Sequence, residues 1–513
     1  MSKRIVVNVG LLETRVAVQE GNLLTELYLE RHRHRSIVGS VYKGTVTNVL
    51  PGMQAAFVDI GLVKDAFLYA GDYTTNLADA SRTMLAAADE DLDPDTEIEG
   101  DEEPPREAAA PIEEMLSRGQ TVLVQASKES LGTKGARITS FISLPGRYVV
   151  YMPQARHVGV SRRIRDERER DRLRAALRSL ELPPGGFILR TNAEGKGEAE
   201  FAHDVEFLSR LWSQIQTRYE TAAAAAALHE EGDLTFRVVR DLFSPEVDEF
   251  VVDDRAAYDK VLGYVQALVP ALAERVRLYA ERAPIFDAFG IEKDIEKALR
   301  RRVWLKSGGY IVIDHTEALV SIDVNTGKYV GKRDFEQTVL KINLEAVTEV
   351  VRQIRLRDLG GIIIIDFIDM EVAEHREQVE KALKRALAVD KARTNVLQIS
   401  ELGLVEMTRK RVRQDLRALL TQHCPTCRGT GVVKSNETLA TEICRAVQAK
   451  AAAEAPPGEN REIVARVHPD LATYMESERR ADLERLEAAL QVKITVQPAS
   501  GQAQREDYDL RVR

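Results

Sequence analysis

Two acids at the ends of apolar runs carry the sharpest chemical signal in the chain. ALVSID ends in Asp323 and GIIIID ends in Asp366, with Asn325 two residues past the first. Strand ends face the ligand crevice in an open α/β sheet. Two carboxylates converging there suit Mg²⁺, a hard ion that takes oxygen ligands and keeps several waters. The chemistry would be phosphoryl transfer, in which a metal activates water and neutralises charge developing on phosphoryl oxygens. The same acids could instead cap the turns after their strands. Asp314 and Asp369 are weaker candidates, because they lack the Asn partner.

CPTCRGTG, from Cys424 to Gly431, is a CxxC in a Gly-rich knuckle, where two thiolates can share a tetrahedral Zn²⁺. Two ligands are not four. Cys444 falls in a predicted helix and His423 is adjacent to Cys424, so the expectation is a Cys₄ zinc completed by a second copy, making a homodimer. A redox CxxC would be expected near the start of a βαβ unit, a context missing here. A third group is Tyr42, Lys43, Phe57, Phe67 and Lys134, the aromatic and basic mixture on which single-stranded nucleic acid stacks and pairs its phosphates. Each Phe could equally be core. In ARHVGVSRRIRDERERDRLRAALR much of the charge is a salt-bridged helix face. Arg162 and Arg163, ahead of that helix, are better placed for phosphate.

The elements that must hold these groups span 513 residues, enough for three or four domains. Hydrophobic residues make up 44% and charged residues 30%, and no apolar run approaches the roughly 18 residues of a spanning helix. No membrane association is expected. MSKRIVVNVGLLETRVAV reads as a strand interrupted by Asn8, Glu13 and Arg15, not as a leader, and three cysteines fit a reducing, cytoplasmic setting. The net charge of −9 is concentrated: Asp89 to Glu107 holds 11 acids and one base, so the remainder is near neutral. That stretch is expected to be a disordered insertion within a small barrel, whose short strands lie on either side. Near a nucleic-acid channel it would tune nonspecific binding.

Farther along, RYVVYMP and GFILRT read as strands, TAAAAAALHEE as a helix, and FRVVRDL and DEFVVDD as strands. Helices are expected near Ala256–Val269, Ile291–Arg301 and Ala373–Ala388. Asp334 with Gln337 opens another that runs to about Arg357. GIIIIDFIDM reads as a buried strand, and strand, helix, strand, helix implies a layered sheet. The tail is helical to Ala453, breaks at Pro456-Pro457-Gly458 and closes as a small helix-plus-strand unit.

Assembled in this order, the motifs resemble the ribonuclease E/G family over almost the whole chain. The resemblance rests on YKGTVTNVLPGMQAAFVDIG, SRRI with ILRT, VSIDVN with IRLRDLGGIIIIDFIDM, and CPTC. The lack of a long Pro- and Arg-rich tail points to the shorter branch of the family.

The resemblance implies a multidomain α/β and β fold. An RNase H-like subdomain (1–36 and 236–299) would carry an inserted S1, or OB-fold, barrel (37–145, with the insertion at 79–111) and a 5′ sensor (146–235). A DNase I-like catalytic subdomain (300–419), a zinc link (420–436) and a small C-terminal α/β domain (437–513) would follow. It implies Mg²⁺ on Asp323 and Asp366 with Asn325 as orienter, and zinc on Cys424 and Cys427. A 5′-monophosphate pocket would be built from Arg190, Thr191, Gly146, Val150 and Arg393, and RNA contacts from Phe57, Phe67 and Lys134. The implied activity is an endoribonuclease of rRNA 5′-end maturation and mRNA turnover, cutting single-stranded, A/U-rich, 5′-monophosphorylated RNA to leave 5′-phosphate and 3′-hydroxyl ends. The implied assembly is a zinc-linked dimer, with tetramers formed from two dimers. The residues alone also allow a non-catalytic S1-type RNA-binding protein, or a zinc-knuckle interaction module of the DnaJ type.

Overall fold

A computed structural model describes residues 2–33, 36–73, 111–129, 135–161, 164, 166–327, 335–400, 402–411, 413–427, 429–454, 462–499 and 505–513. Asp89–Glu107, Lys134, Arg162, Arg163 and Asp334 lie outside these residues. The chain divides into two compact units, Met1–Leu416 and Arg417–Arg513. Among the described residues no helix is long and apolar enough to cross a membrane.

The first unit begins with an antiparallel meander, β1 (Lys3–Val9), β2 (Glu13–Glu20) and β3 (Leu23–Arg31). Five strands then close on themselves: β4 (Val41–Leu50), β5 (Ala55–Asp59), β6 (Ala66–Tyr69), β7 (Thr121–Lys128) and β8 (Arg137–Thr139). The order is β4-β5-β6-β8-β7, and pairing of Val41 with Gln125 and Thr45 with Thr121 joins β7 back to β4. Closure removes both sheet edges. Gly44 permits it, since a Cβ there would sit 2.5 Å from Val58 Cγ1.

A four-stranded sheet follows, from β9 (Leu144–Pro145), β10 (Val149–Met152), β11 (Val158–Val160) and β12 (Gly186–Leu189). The helices Glu167–Arg178 and Glu198–Thr221 pack on it through Leu173, Leu177, Phe201 and Leu208. Here the structure departs from the sequence expectation. Within TAAAAAALHEE the helix stops at Thr221, Ala225 takes φ +58°, and β13 (Ala226–His229) pairs with β4. A partner strand outweighs the local helix preference of alanine. FRVVRDL is likewise a helix, Leu234–Asp241. Asp233 caps it by accepting from Phe236 N, and Leu234, Val238 and Val239 fall on one buried face.

The chain then returns to its beginning. β14 (Glu249–Val252) runs parallel to β1, with Arg4 opposite Glu249, and β15 (Val276–Leu278) completes the order β15-β14-β1-β2-β3.

The last sheet of this unit comprises β16 (Arg302–Trp304), β17 (Tyr310–His315), β18 (Leu319–Asn325), β19 (Gly361–Asp366), β20 (Thr394–Val396) and β21 (Leu404–Arg409). Helix Phe335–Arg357 links the parallel strands β18 and β19, and Ala373–Leu387 follows β19. One face of the sheet holds Ile311, Ile313, Ile322, Ile363 and Ile365, all in a single core with Val339, Val350, Val379 and Leu383 of the two helices. On the other face Trp304, Asp323 and Asp366 are exposed. GIIIID is therefore not buried on both sides, and Ile362 is exposed on that same face. The long helix is also fastened to the first sheet by buried Arg355, which pairs with Glu20 and Glu26 at 2.7 Å each. Burial alone would raise the Glu26 carboxyl, but Lys391 and Arg355 more than offset it and hold it at about 2.

The second unit packs helices Asn436–Glu454, Pro469–Ser477 and Arg480–Leu490 on β22 (Glu462–Val467), β23 (Lys493–Pro498) and β24 (Asp509–Val512). Its core gathers Leu439, Ile443, Ile463, Leu471, Met475 and Ile494.

Candidate active site

The two-residue period of a strand decides where the acids point. Val320, Ile322 and Val324 enter the core from β18, and Ile363 and Ile365 from β19. Asp323 and Asp366 therefore project from the opposite face. They share one register position on adjacent parallel strands, with backbones about 4.8 Å apart. Asn325 Nδ2 donates to Asp323 Oδ2 at 2.7 Å, which orients that carboxylate. Gly327, at φ +64°, makes the turn after Asn325, and a Cβ there would meet Gly308 O at 2.3 Å. Asp366 is pushed up from the ordinary carboxylate range by partial burial and by the charges of Asp323 and Asp369.

Buried Asn343, on the long helix, grips the segment between Asp366 and Asp369. Its Nδ2 donates to Ile368 O at 2.8 Å, and its Oδ1 accepts from Ile368 N at 3.1 Å. Asp314 is committed elsewhere, paired with Arg301 through both carboxylate oxygens. The donor set fits a hard divalent cation: oxygen only, with two carboxylates, as Mg²⁺ ordinarily takes alongside waters and substrate phosphate. Among the described residues no larger cluster of three or more His, Cys, Asp or Glu side chains is gathered.

A second constellation surrounds Arg190, just past β12. Its Nη1 donates to Gly146 O and Asp241 Oδ1, both at 2.7 Å. Asp241 is also held by Arg240, and although burial opposes it, Arg190 and Arg240 keep its carboxyl well below the usual range. Gly146 abuts Asp204, which accepts from Tyr148 N at 2.6 Å and Val149 N at 3.0 Å, and a Cβ on Gly146 would lie 2.7 Å from Asp204 Oδ2. Burial pushes Asp204 up. Thr191 opens the turn after Arg190.

Arg190, Thr191 and Gly146 are thus brought together. Val150 instead buries its side chain with Phe141, Met152, Ala155 and Ile188, and its strand is paired on both sides, with Ile188 and with Pro145. Arg393 is exposed beside β20, and Lys391, two residues away, lies within electrostatic reach of Asp241.

On the barrel, Phe57 stands opposite Phe67 on adjacent strands, ring centroids 5.4 Å apart. Phe67 meets Tyr69 at 4.5 Å, and the Arg137 guanidinium lies 4.8 Å from the Tyr69 ring centre. This ladder is half-exposed and suits stacked bases. Tyr42 and Lys43 do not join it. Tyr42 is buried in the barrel core, and Lys43 Nζ donates to Tyr219 O and Ala222 O, closing the end of a helix. Tyr69 and Arg137 are additions the sequence reading lacked, although Tyr69 follows Phe67 by two residues and so shares its face. Asp241 was hidden in the segment read as a strand, and Asn343 in the apolar stripe of a long helix.

In the second unit Cys424 is exposed and Cys427 half-exposed. Backbone hydrogen bonds from Cys427 and Thr426 pull the Cys424 thiol below its usual range, favouring thiolate. Cys444 sits apart on its helix, and burial pushes its thiol up.

A closed barrel bearing an aromatic ladder, together with a sheet that exposes paired acids, defines a multidomain α/β protein with an S1-like domain. The model of the ribonuclease E/G family matches residues 143–412, and the model of the RNase E/G thioredoxin-like domain matches 423–512. Ribonuclease G of Escherichia coli K12 is 46% identical over 447 residues, covering 87% of this chain and 88% of that protein. Ribonuclease G of Haemophilus influenzae is 43% identical over 443 residues, 86% of each chain. Ribonuclease E of Escherichia coli K12 is 36% identical over 489 residues, 94% of this chain and 44% of that protein. The chain belongs to the ribonuclease E/G family.

Proposed function

We propose that the protein is an endoribonuclease of RNA processing and decay that cuts single-stranded RNA at Asp323 and Asp366. The observation that carries this reading is the in-register pair itself, two like charges on the exposed face of the sheet whose mutual repulsion helps raise the Asp366 carboxyl. Such a pair is costly unless a cation or a proton is shared there. A bound Mg²⁺ would supply water activation and charge neutralisation at the phosphate.

The chain's own residues do the positioning. Asn325 sets the Asp323 carboxylate, Asn343 pins the loop beyond Asp366, and the Phe57–Phe67–Tyr69 ladder holds the strand by stacking. Hydrolysis leaves 5′-phosphate and 3′-hydroxyl ends. Arg190, preset by Asp241 and Gly146, takes a terminal 5′-monophosphate together with Thr191 and Arg393, so RNA that has already been processed is preferred. Ribosomal RNA 5′-end maturation and mRNA turnover are the corresponding roles, in the cytoplasm. Cys424 and Cys427 pair with the same residues of a second copy around Zn²⁺, making a dimer, with tetramers formed from two dimers.

The test is cleavage of an end-labelled single-stranded A/U-rich RNA with Mg²⁺, carrying either 5′-monophosphate or 5′-hydroxyl, by wild type and Asp366→Asn. Monophosphate-stimulated cutting that the substitution abolishes supports the reading. Tight RNA binding without cutting would make the protein an S1-type binding protein instead.

A further inference from the structure

Trp304, one of only two tryptophans in the chain, stands on β16 with 63% of its surface exposed. Alternation settles its face: Val303 is in the core, so Arg302 and Trp304 lie on the exposed side of the sheet. Tyr310 is opposite Trp304 on β17. The rings meet edge to face with centroids 5.3 Å apart. The Arg302 guanidinium lies 4.4 Å from the centre of the Tyr310 ring and 5.9 Å from that of Trp304. Unlike Arg301, which Asp314 holds, Arg302 has no ion pair among the described residues.

The register ties this group to the acids. Trp304, Tyr310 and Asn325 form one row across three strands. Arg302, Val312, Asp323 and Asp366 form the next. Two strand spacings, about 10 Å, separate β16 from β18. An aromatic ring with a face to offer and an uncommitted cation thus share the exposed face with the acid pair, at the reach of a neighbouring nucleotide.

We propose that Trp304, Tyr310 and Arg302 form a base-stacking subsite for the nucleotide next to the scissile phosphate. The inference rests on the reading of Asp323 and Asp366 as the cleavage site. Trp304 stacks on the base, Tyr310 braces the indole, and Arg302 lies along the phosphate backbone. The occupant is RNA because the rows are continuous with the acids. A polyanion approaching two carboxylates also needs positive charge close by, and Arg302 provides it. Stacking on a ring face is tolerant of base identity, so the subsite holds the strand in place without selecting sequence.

The experiment uses the full chain with Trp212→Phe, so that Trp304 is the sole indole, and Asp366→Asn, so that RNA stays intact. Single-stranded RNA should quench the fluorescence saturably, and an abasic nucleotide beside the cleavage position should abolish the quench. In the otherwise unaltered enzyme, Trp304→Ala should raise KM about tenfold with kcat changed less than about twofold, and Trp304→Phe should recover most of the loss. RNA binding detected by anisotropy without any quench overturns the subsite, as does an unchanged KM in Trp304→Ala. A change of mass in light scattering for Trp304→Ala would assign the ring to a contact between copies and also overturn it. Persistent cleavage by Asp366→Asn would instead overturn the cleavage-site reading beneath it.

Discussion

Asp323 and Asp366 occupy the same register on adjacent parallel strands and both turn away from the helices, so two like charges meet at the exposed face of the sheet. Hydrophobic packing on the other face holds them there. The electrostatic conflict is the feature a divalent cation would relieve.

A carboxyl whose pKa is raised on folding favours the folded state when protonated. Its contribution is full below the unfolded value and is lost as pH rises through the interval up to the folded value. For Asp366 that interval starts in the ordinary carboxylate range and extends upward. At neutral pH and without divalent ions, Asp366→Asn is therefore expected to melt at the same temperature as wild type or higher. Added Mg²⁺ should raise the Tm of wild type and not of the variant. Equal Mg²⁺ shifts in both would place the ion elsewhere.

The same shift acts on the reaction. Where Asp366 holds the proposed cation, protonating it would remove a ligand, so kcat/KM should fall on the acid side, with its midpoint shifted up from that of an ordinary aspartate. Asp369→Asn removes one of the charges acting on Asp366 and should move that midpoint down. A pH–rate profile of the two proteins decides it, and coincident acid limbs would contradict the coupling.

Arg190 is oriented by Asp241 and Gly146. Arg190→Ala is expected to reduce the rate advantage of 5′-monophosphate over 5′-hydroxyl RNA by roughly 10- to 100-fold, the worth of one charge-assisted hydrogen bond. Competition between the two labelled substrates in one tube measures it directly. An undiminished preference would remove Arg190 from the sensor.

Tyr69 extends the ladder of Phe57 and Phe67 and is the more exposed end. Tyr69→Ala should weaken single-stranded RNA binding by about 1–3 kcal/mol, whichever group the 5′ end carries. Anisotropy titration with both kinds of end would expose any dependence on the terminus, which this assignment forbids.

Arg409 is buried between Asp358 and Asp390, at 2.7 Å from each. Arg409→Met removes the buried cation between two buried carboxylates and should cost about 3–5 kcal/mol in urea unfolding. A loss below about 1 kcal/mol would mean that water or a neighbour such as Arg413, which also pairs with Asp358, takes over.

Local pattern settled a good deal. The alternation in ALVSIDVN and the apolar run before Asp366 placed both acids on strands, and the helix ending near Arg357 was equally legible. These features depend on neighbours within a few residues, which is the range over which periodicity and capping act. Tertiary structure decided the rest. Arg4 pairs with Glu249 across 245 residues, and no local period encodes such a partner. FRVVRDL became a helix because Asp233 caps it and a sheet buries its face. The alanines before His229 became a strand because Val41–Lys43, at the start of β4 and ahead of its pairing with β5, take them as partners. Lys43 was drawn from a surface role to a helix end, and Arg190 acquired Asp241 as its guide. The residue types set which chemistry was available; packing determined which of those groups meet, because contacts between distant segments form only when the whole core does.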